Sequence, residues 1–228
     1  MHQEKHFTSS DLIKDIVIGM SDGLTVPFAL AAGLSGAVAS NNIIITAGIA
    51  EVVAGSIAMG LGGYLAGKTE MEHYEAELLR ESIEVDIVPE TEKQEVKDVI
   101  AGYGFSRELQ EEFAAELSTN KENWVNFMMR FELGMEKPDH RRATQSARNI
   151  GLSYVVGGIV PLIGYFFTQT PKHGLIVSSV MTILFLFGFG YVKTRLTGIK
   201  PFEGALKMVI TGALAATAAF IIARLISQ

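Results

Sequence analysis

The chain has 228 residues, 48% of them hydrophobic and 19% charged, with a net charge of −6 and a mean hydropathy of +0.28. Charge is scarcer than in an ordinary soluble domain, and no basic run offers a surface to nucleic acid. Cysteine is absent, which excludes disulfides, thiolate redox chemistry and zinc ribbons, so any metal must be held by oxygen, imidazole or thioether groups.

The chain opens with Met1-His-Gln-Glu-Lys-His6 and runs into a long apolar span without a small-residue cleavage site, so it does not read as a removed signal. The first apolar run, about 16–38, is long enough to cross a bilayer, and Asp22 is its only ionisable residue. A carboxylate near a bilayer centre costs about 2.5–3.5 kcal/mol, which marks it as a functional candidate. Pro27 removes a backbone donor beside it, and Asp11, Lys14 and Asp15 stand at the expected cytoplasmic mouth.

The second run, about 43–66, carries Glu51 and Met59. Their spacing is just over two helical turns, so they share nearly one face and can line a common path with Asp22. Met59-Gly-Leu-Gly-Gly63 is dense in small residues, which let helices approach closely in lipid.

Residues 68–148 are of different material and contain 19 of the 25 acidic residues. Lys68 to Val85 continues the second run with no breaker, predicting one long helix that leaves the membrane. Pro89 fits the first turn of the next helix, with Glu90 and Glu92 near its positive end, and Gly102-Tyr-Gly104 ends it. A helix is expected from Ser106 to Leu117. Thr119 with Glu122 has capping-box spacing and predicts another helix reaching Met135, before Pro138.

Three helices here place acids on common faces: Glu77, Glu81 and Glu84; Glu92 and Glu95; and Glu132 with Met128 and Met129. Carboxylates sharing a face repel unless a cation lies among them. Oxygen ligands suit manganese, magnesium, calcium and ferrous iron, and a thioether shifts the preference toward softer transition metals. A solvated acidic helix face and core-filling methionines are the plain alternatives. Glu70-Met-Glu-His73 is a lone Glu-x-x-His, and a di-iron centre needs two on different helices. No phosphate-binding loop is present, so transport would be driven by a gradient.

Three further apolar runs follow, about 149–167, 174–192 and 204–226. Gly158-Ile-Val-Pro161 in the third faintly echoes Gly23-Leu-Thr-Val-Pro27 in the first, the kind of internal similarity found in membrane carriers. Lysine and arginine concentrate in the middle segment and after the fourth span, which predicts a cytoplasmic N-terminus and middle segment and an external C-terminus. The expected fold is an all-α integral membrane protein of five transmembrane helices, with a cytoplasmic helical metal-binding domain between the second and third spans. The boundaries read as 1–67, 68–138 and 139–228.

Several stretches resemble the vacuolar iron transporter family, which includes plant and yeast vacuolar iron and manganese carriers. They are Ser21-Asp-Gly-Leu-Thr-Val-Pro-Phe-Ala-Leu-Ala-Ala-Gly-Leu-Ser-Gly36, Ala50-Glu51, Ser56-Ile-Ala-Met-Gly-Leu-Gly-Gly-Tyr-Leu-Ala66, Phe127-Met-Met-Arg-Phe-Glu-Leu-Gly134 and Glu136-Lys-Pro138. The resemblance covers nearly the whole chain. It implies a homodimer with its ion path at the dimer interface, and proton-coupled export of ferrous iron from the cytosol into a vacuole or out of the cell. It implies Asp22 and Met59 as path residues with Glu51 nearby, and Glu81, Glu84, Glu92, Glu95, Met128 and Glu132, assisted by Met129, as metal ligands. No tightly bound cofactor is expected. The partners are Fe(II), with manganese, cobalt and zinc open, protons, lipid and a second copy. The membrane would be vacuolar in a eukaryote and the inner membrane in a prokaryote. A membrane-anchored iron store or ferroxidase is the alternative.

Overall fold

The computed structural model describes residues 10–197 and 200–226, so the opening hexapeptide lies outside the described residues. Among these the chain is helical throughout, with no strand: α1 (Ser10–Ala37), α2 (Asn41–Ile87), α3 (Pro89–Gly102), α4 (Arg107–Leu117), α5 (Lys121–Phe127) continued by a π-helical turn (Met128–Glu132), α6 (Arg142–Phe166), α7 (Pro171–Leu196) and α8 (Pro201–Ile226). Five of them (α1, α2, α6, α7 and α8) are long and apolar enough to cross a membrane. The chain divides into an apolar unit, residues 1–65 and 143–228, and a polar unit, residues 66–142. The division falls inside α2, the 47-residue helix that the absence of a breaker predicts.

In the apolar unit α6 is the central post, and glycine is what lets its neighbours reach it. A methyl group on Gly19 would strike the carbonyl oxygen of Ile150, and one on Gly23 would strike that of Tyr154. From the other side, a methyl on Gly157 would stand 3.0 Å from both the Met20 oxygen and the Leu24 nitrogen. Backbone therefore meets backbone where α1 crosses α6, the close approach that small residues permit in lipid.

On α2, Gly48, Gly55 and Gly63 give the same access to Leu162, Tyr154 and Ile150 of α6. α7 joins α6 where Gly164 faces Ser178, and α8 joins α7 where Gly190 faces Ala205 and Met208. Hydroxyls add polar links: Ser178 Oγ donates to the Pro161 carbonyl at 2.6 Å, and the Asn41 amide donates to the Thr168 carbonyl at 2.7 Å. Large exposed apolar side chains cover the outside, including Ile57, Leu184, Leu214 and Leu225, as lipid rather than water requires.

The polar unit has its own core of Tyr74, Val85, Val96, Ala114, Trp124, Val125, Met128 and Met129. Pro89 opens α3 as expected, and Ser106 Oγ caps α4. The cap of α5 is one residue later than the sequence suggests. Asn120 Oδ1 accepts from the Asn123 N–H at 3.0 Å, while Thr119 Oγ1 donates to the Glu116 carbonyl at 2.6 Å. Thr119 is thus spent on closing α4 and is not available to open α5. Nor does α5 continue regularly to Met135: the bonds Leu133 N–H to Met128 O (3.1 Å) and Met135 N–H to Met129 O (2.7 Å) widen it, and Gly134, at φ +64°, ends it.

The α1–α6 crossing yields a stability prediction. Gly23→Ala should lower the melting temperature of the purified protein, because overpacking of a closed contact costs about 1–3 kcal/mol. Gly188→Ala on α7, where an added methyl meets nothing within 4 Å, should leave it unchanged or slightly raised. Equal melting temperatures for the two variants would refute the close crossing.

Candidate metal centre and ion path

Two groups of acids stand in unlike surroundings. In the apolar unit, Asp22 on α1 and Glu51 and Met59 on α2 are each half-buried. Gly23, the residue after Asp22, packs on the Tyr154 backbone, and the Tyr154 hydroxyl donates a hydrogen bond to Glu51 Oε1. The other carboxyl oxygen, Oε2, is buried with no hydrogen-bond partner.

Pro27 and Pro161 are both fully buried, inside α1 and α6. A proline has no N–H for the carbonyl four residues earlier, so Gly23 and Gly157 each lose that donor. Both glycines lie at the helix crossing. Asp15 is 1% exposed and accepts from Ser146 Oγ at 3.0 Å and Asn149 Nδ2 at 3.3 Å. It is a packed link between α1 and α6, not an open mouth residue. Lys14 and Asp11 remain exposed, 3.4 Å apart.

In the polar unit the acids come from three helical segments. Glu81 on α2 is 2% exposed and Glu92 on α3 is 3% exposed, and each has one carboxyl oxygen, Oε2, buried without a hydrogen-bond partner. Arg80 is the cation beside them, 2.8 Å from Glu77 and 3.6 Å from both Glu81 and Glu84.

Burial, and then the neighbouring Glu95, Glu81, Glu84 and Glu132, push the Glu92 carboxyl up to about 7. Glu132 is exposed as a residue, yet partial burial of its carboxyl followed by Glu95 and Glu81 pushes it up to about 7 as well, against the opposing pull of Arg80. Glu81 is raised by burial and then by Glu84, with Arg80 opposing. Five acids named from the sequence, Glu81, Glu84, Glu92, Glu95 and Glu132, therefore lie within electrostatic reach of one another.

They do not form a finished coordination shell: among the described residues no three acid or histidine side chains gather around one point. The methionines also fall differently from a simple helix-face reading. Met128 is 0% and Met129 1% exposed, both in the hydrophobic core, while Glu132 is exposed. The thioethers lie in the core, while the Glu132 carboxyl is within electrostatic reach of Glu95 and Glu81. His73, the histidine of the lone Glu-x-x-His, is exposed and 3.9 Å from Glu77.

Sequence reasoning missed Tyr154 and Arg80 as partners of the acids. Arg80 was within reach, since it lies three residues after Glu77 and four before Glu84. Tyr154 gave no local signal.

Fold and site together define a multi-helix membrane protein with acids set inside its apolar unit and a carboxylate-rich helical unit interrupting its spans. The model of the VIT family matches residues 13–224, and the chain belongs to that family. It is 52% identical to vacuolar iron transporter 2 of Oryza sativa subsp. japonica over 227 residues, covering 100% of this chain and 92% of that protein. It is 51% identical to vacuolar iron transporter 1 of Arabidopsis thaliana over 227 residues (100% and 91%). It is also 40% identical to protein CCC1 of Saccharomyces cerevisiae over 224 residues (94% and 69%).

The raised acids carry a pH prediction. A group that holds its proton more tightly when folded than the ordinary 4.5 stabilises the fold at low pH, and this contribution is lost as pH rises through the folded value. The melting temperature of metal-free protein should therefore fall between about pH 4.5 and 7. Glu92→Gln should flatten that fall and stabilise the protein above pH 7. Thermal melts at pH 5 and pH 8 check this, and a variant with the wild-type slope would refute it.

Proposed function

We propose that this chain carries ferrous iron out of the cytosol in exchange for protons, into a vacuole in a eukaryotic cell or across the inner membrane of a prokaryotic one. The observation that carries the reading is Glu51, an acid inside the apolar unit, fixed at one oxygen and unpartnered at the other. Asp22 and Met59, also half-buried, supply a second acid and a thioether. A carboxylate is both a ligand for a divalent cation and an acceptor for a proton, so the same groups serve both cargoes. The relatives' names as vacuolar iron transporters support iron as cargo and the vacuole as destination. Manganese, cobalt and zinc fall within the same ligand chemistry.

In this reading the polar unit faces the cytosol, as the distribution of lysine and arginine indicates, and collects metal. Divalent cations would enter the carboxylate group as protons leave it, relieving the repulsion that raises Glu92 and Glu132. Glu81, Glu84, Glu92, Glu95 and Glu132 would bind through oxygen. Met128 and Met129, buried as they are, would contribute after a rearrangement of the π-helical turn, a turn type frequent at functional sites.

The protein would act as a homodimer. Asp22, Glu51 and Met59 each leave part of their surface uncovered within one chain, and a second copy would complete the walls of the path. A ferroxidase is the weaker reading, because His73 is exposed and its motif stands alone.

Uptake of labelled Fe(II) into proteoliposomes tests this. An imposed proton gradient should drive uptake, a protonophore should stop it, and Asp22→Ala should reduce it to background. Uptake by Asp22→Ala equal to wild type, or indifference to the protonophore, would sink the reading. Joint replacement of Glu81 and Glu92 by Gln should weaken uptake at low iron by about tenfold, on the loss of two charged ligands, while sparing uptake at saturating iron.

A further inference from the structure

Tyr154 links the helices that carry the two acids of the apolar unit. It lies within α6 and is 2% exposed. Its backbone carbonyl faces Gly23, next to Asp22 on α1, and its hydroxyl donates to Glu51 on α2. Its ring lies against Gly55, one turn after Glu51, where an added methyl would stand 2.5 Å from ring carbon Cζ and from the hydroxyl oxygen.

The ring and backbone hold three helices together, and a phenylalanine would do that as well. The hydroxyl does something else. A buried hydroxyl is unfavourable without a partner, and the partner here is one oxygen of a carboxylate whose other oxygen is buried and unpartnered. A carboxylate tied at Oε1 cannot rotate freely, so the direction in which Oε2 is offered is fixed.

We infer that the Tyr154 hydroxyl is a positioning residue of the ion path, locking the Glu51 carboxylate so that its free oxygen is presented to a passing divalent cation. The inference rests on the reading of Glu51 as a path residue. Pre-orientation of a ligand lowers the ordering cost of binding, so its loss is felt in affinity for the cation before it is felt in turnover.

The test is initial-rate Fe(II) uptake by the full-length protein in proteoliposomes, for wild type, Tyr154→Phe, Glu51→Gln and the double variant. The expected result is a KM raised by about fivefold or more in Tyr154→Phe, as for loss of a hydrogen bond to a charged group, with the maximal rate within about twofold. The double variant should transport no worse than Glu51→Gln alone, because the hydroxyl then has no carboxylate to hold.

A Tyr154→Phe protein with wild-type KM, alongside an impaired Glu51→Gln, overturns this inference and leaves the path reading standing. Wild-type transport by Glu51→Gln overturns both. If Tyr154→Phe does not give monodisperse protein, 4-fluorophenylalanine at position 154 keeps the ring and a para substituent but offers no donor. It should raise KM in the same way, and an unchanged KM overturns the inference.

Discussion

The crossing of α1 and α6 is the contact on which the placement of the acids in the apolar unit depends. Two helices in lipid gain nothing from hiding apolar surface, so they associate through close packing and hydrogen bonds. Gly19 and Gly23 allow that packing by presenting no side chain to the carbonyls of Ile150 and Tyr154. Because the backbones touch there, Asp22 is held at a fixed height on α6, and α2, docked on the same residue through Gly55, brings Glu51 to it. Pro27 and Pro161 make the crossing chemically richer. Each deprives a glycine carbonyl of its helical donor, so peptide oxygens with spare accepting capacity lie in the same neighbourhood as the two acids. Irregular hydrogen bonding at membrane depth is tolerated where it is buried in protein or lines a cavity, and here it is buried.

The polar unit rests on the opposite tactic. Its helices pack in the ordinary way around Val96, Trp124 and the two methionines, yet two carboxylates, Glu81 and Glu92, are buried beside that core with Arg80 as the nearby cation. A fold optimised for stability alone would not keep them, since buried charge is costly unless paired and hydrogen-bonded. The fold holds the acids near enough to repel and does not draw any three around one point. Such a group responds to anything that brings positive charge, whether proton or metal ion, and the two compete for the same oxygens.

Much of this was legible in the chain. The five spans stood out because lipid demands long apolar runs, and the polar unit because its acids, Pro89 and Gly104 break that pattern. Asp22, Glu51 and the acids of α2 and α3 were legible because charge in an apolar run, or repeated on one helix face, is conspicuous. What could not be read depends on tertiary placement. Tyr154 and Glu51 are separated by 103 positions, and nothing near Tyr154 distinguishes it from other aromatic residues of the spans. Asp15 looked like a mouth residue until Ser146, 131 positions away, closed over it. Met128 and Met129 are buried in the core of the polar unit, a placement that their spacing from Glu132 does not reveal.

In the proposed function the two groups of acids have different duties. Glu92 is buried, crowded by four other carboxylates and raised to about 7, so near neutral pH it lies close to the point where a modest change in metal or proton activity changes its charge. That suits a group that gathers ions from a compartment of nearly constant pH. Glu51 is held instead by a neutral hydroxyl donor and shares its surroundings with one other acid on α1. Few charges stand near it. A strongly repelling cluster binds many cations in succession with falling affinity, whereas a lone, oriented carboxylate binds one and releases it. A carrier needs the second behaviour wherever its cargo must leave. The division of acids between a crowded polar unit and a sparse apolar one is thus the arrangement expected when ions are collected at one place and passed on, singly, at another.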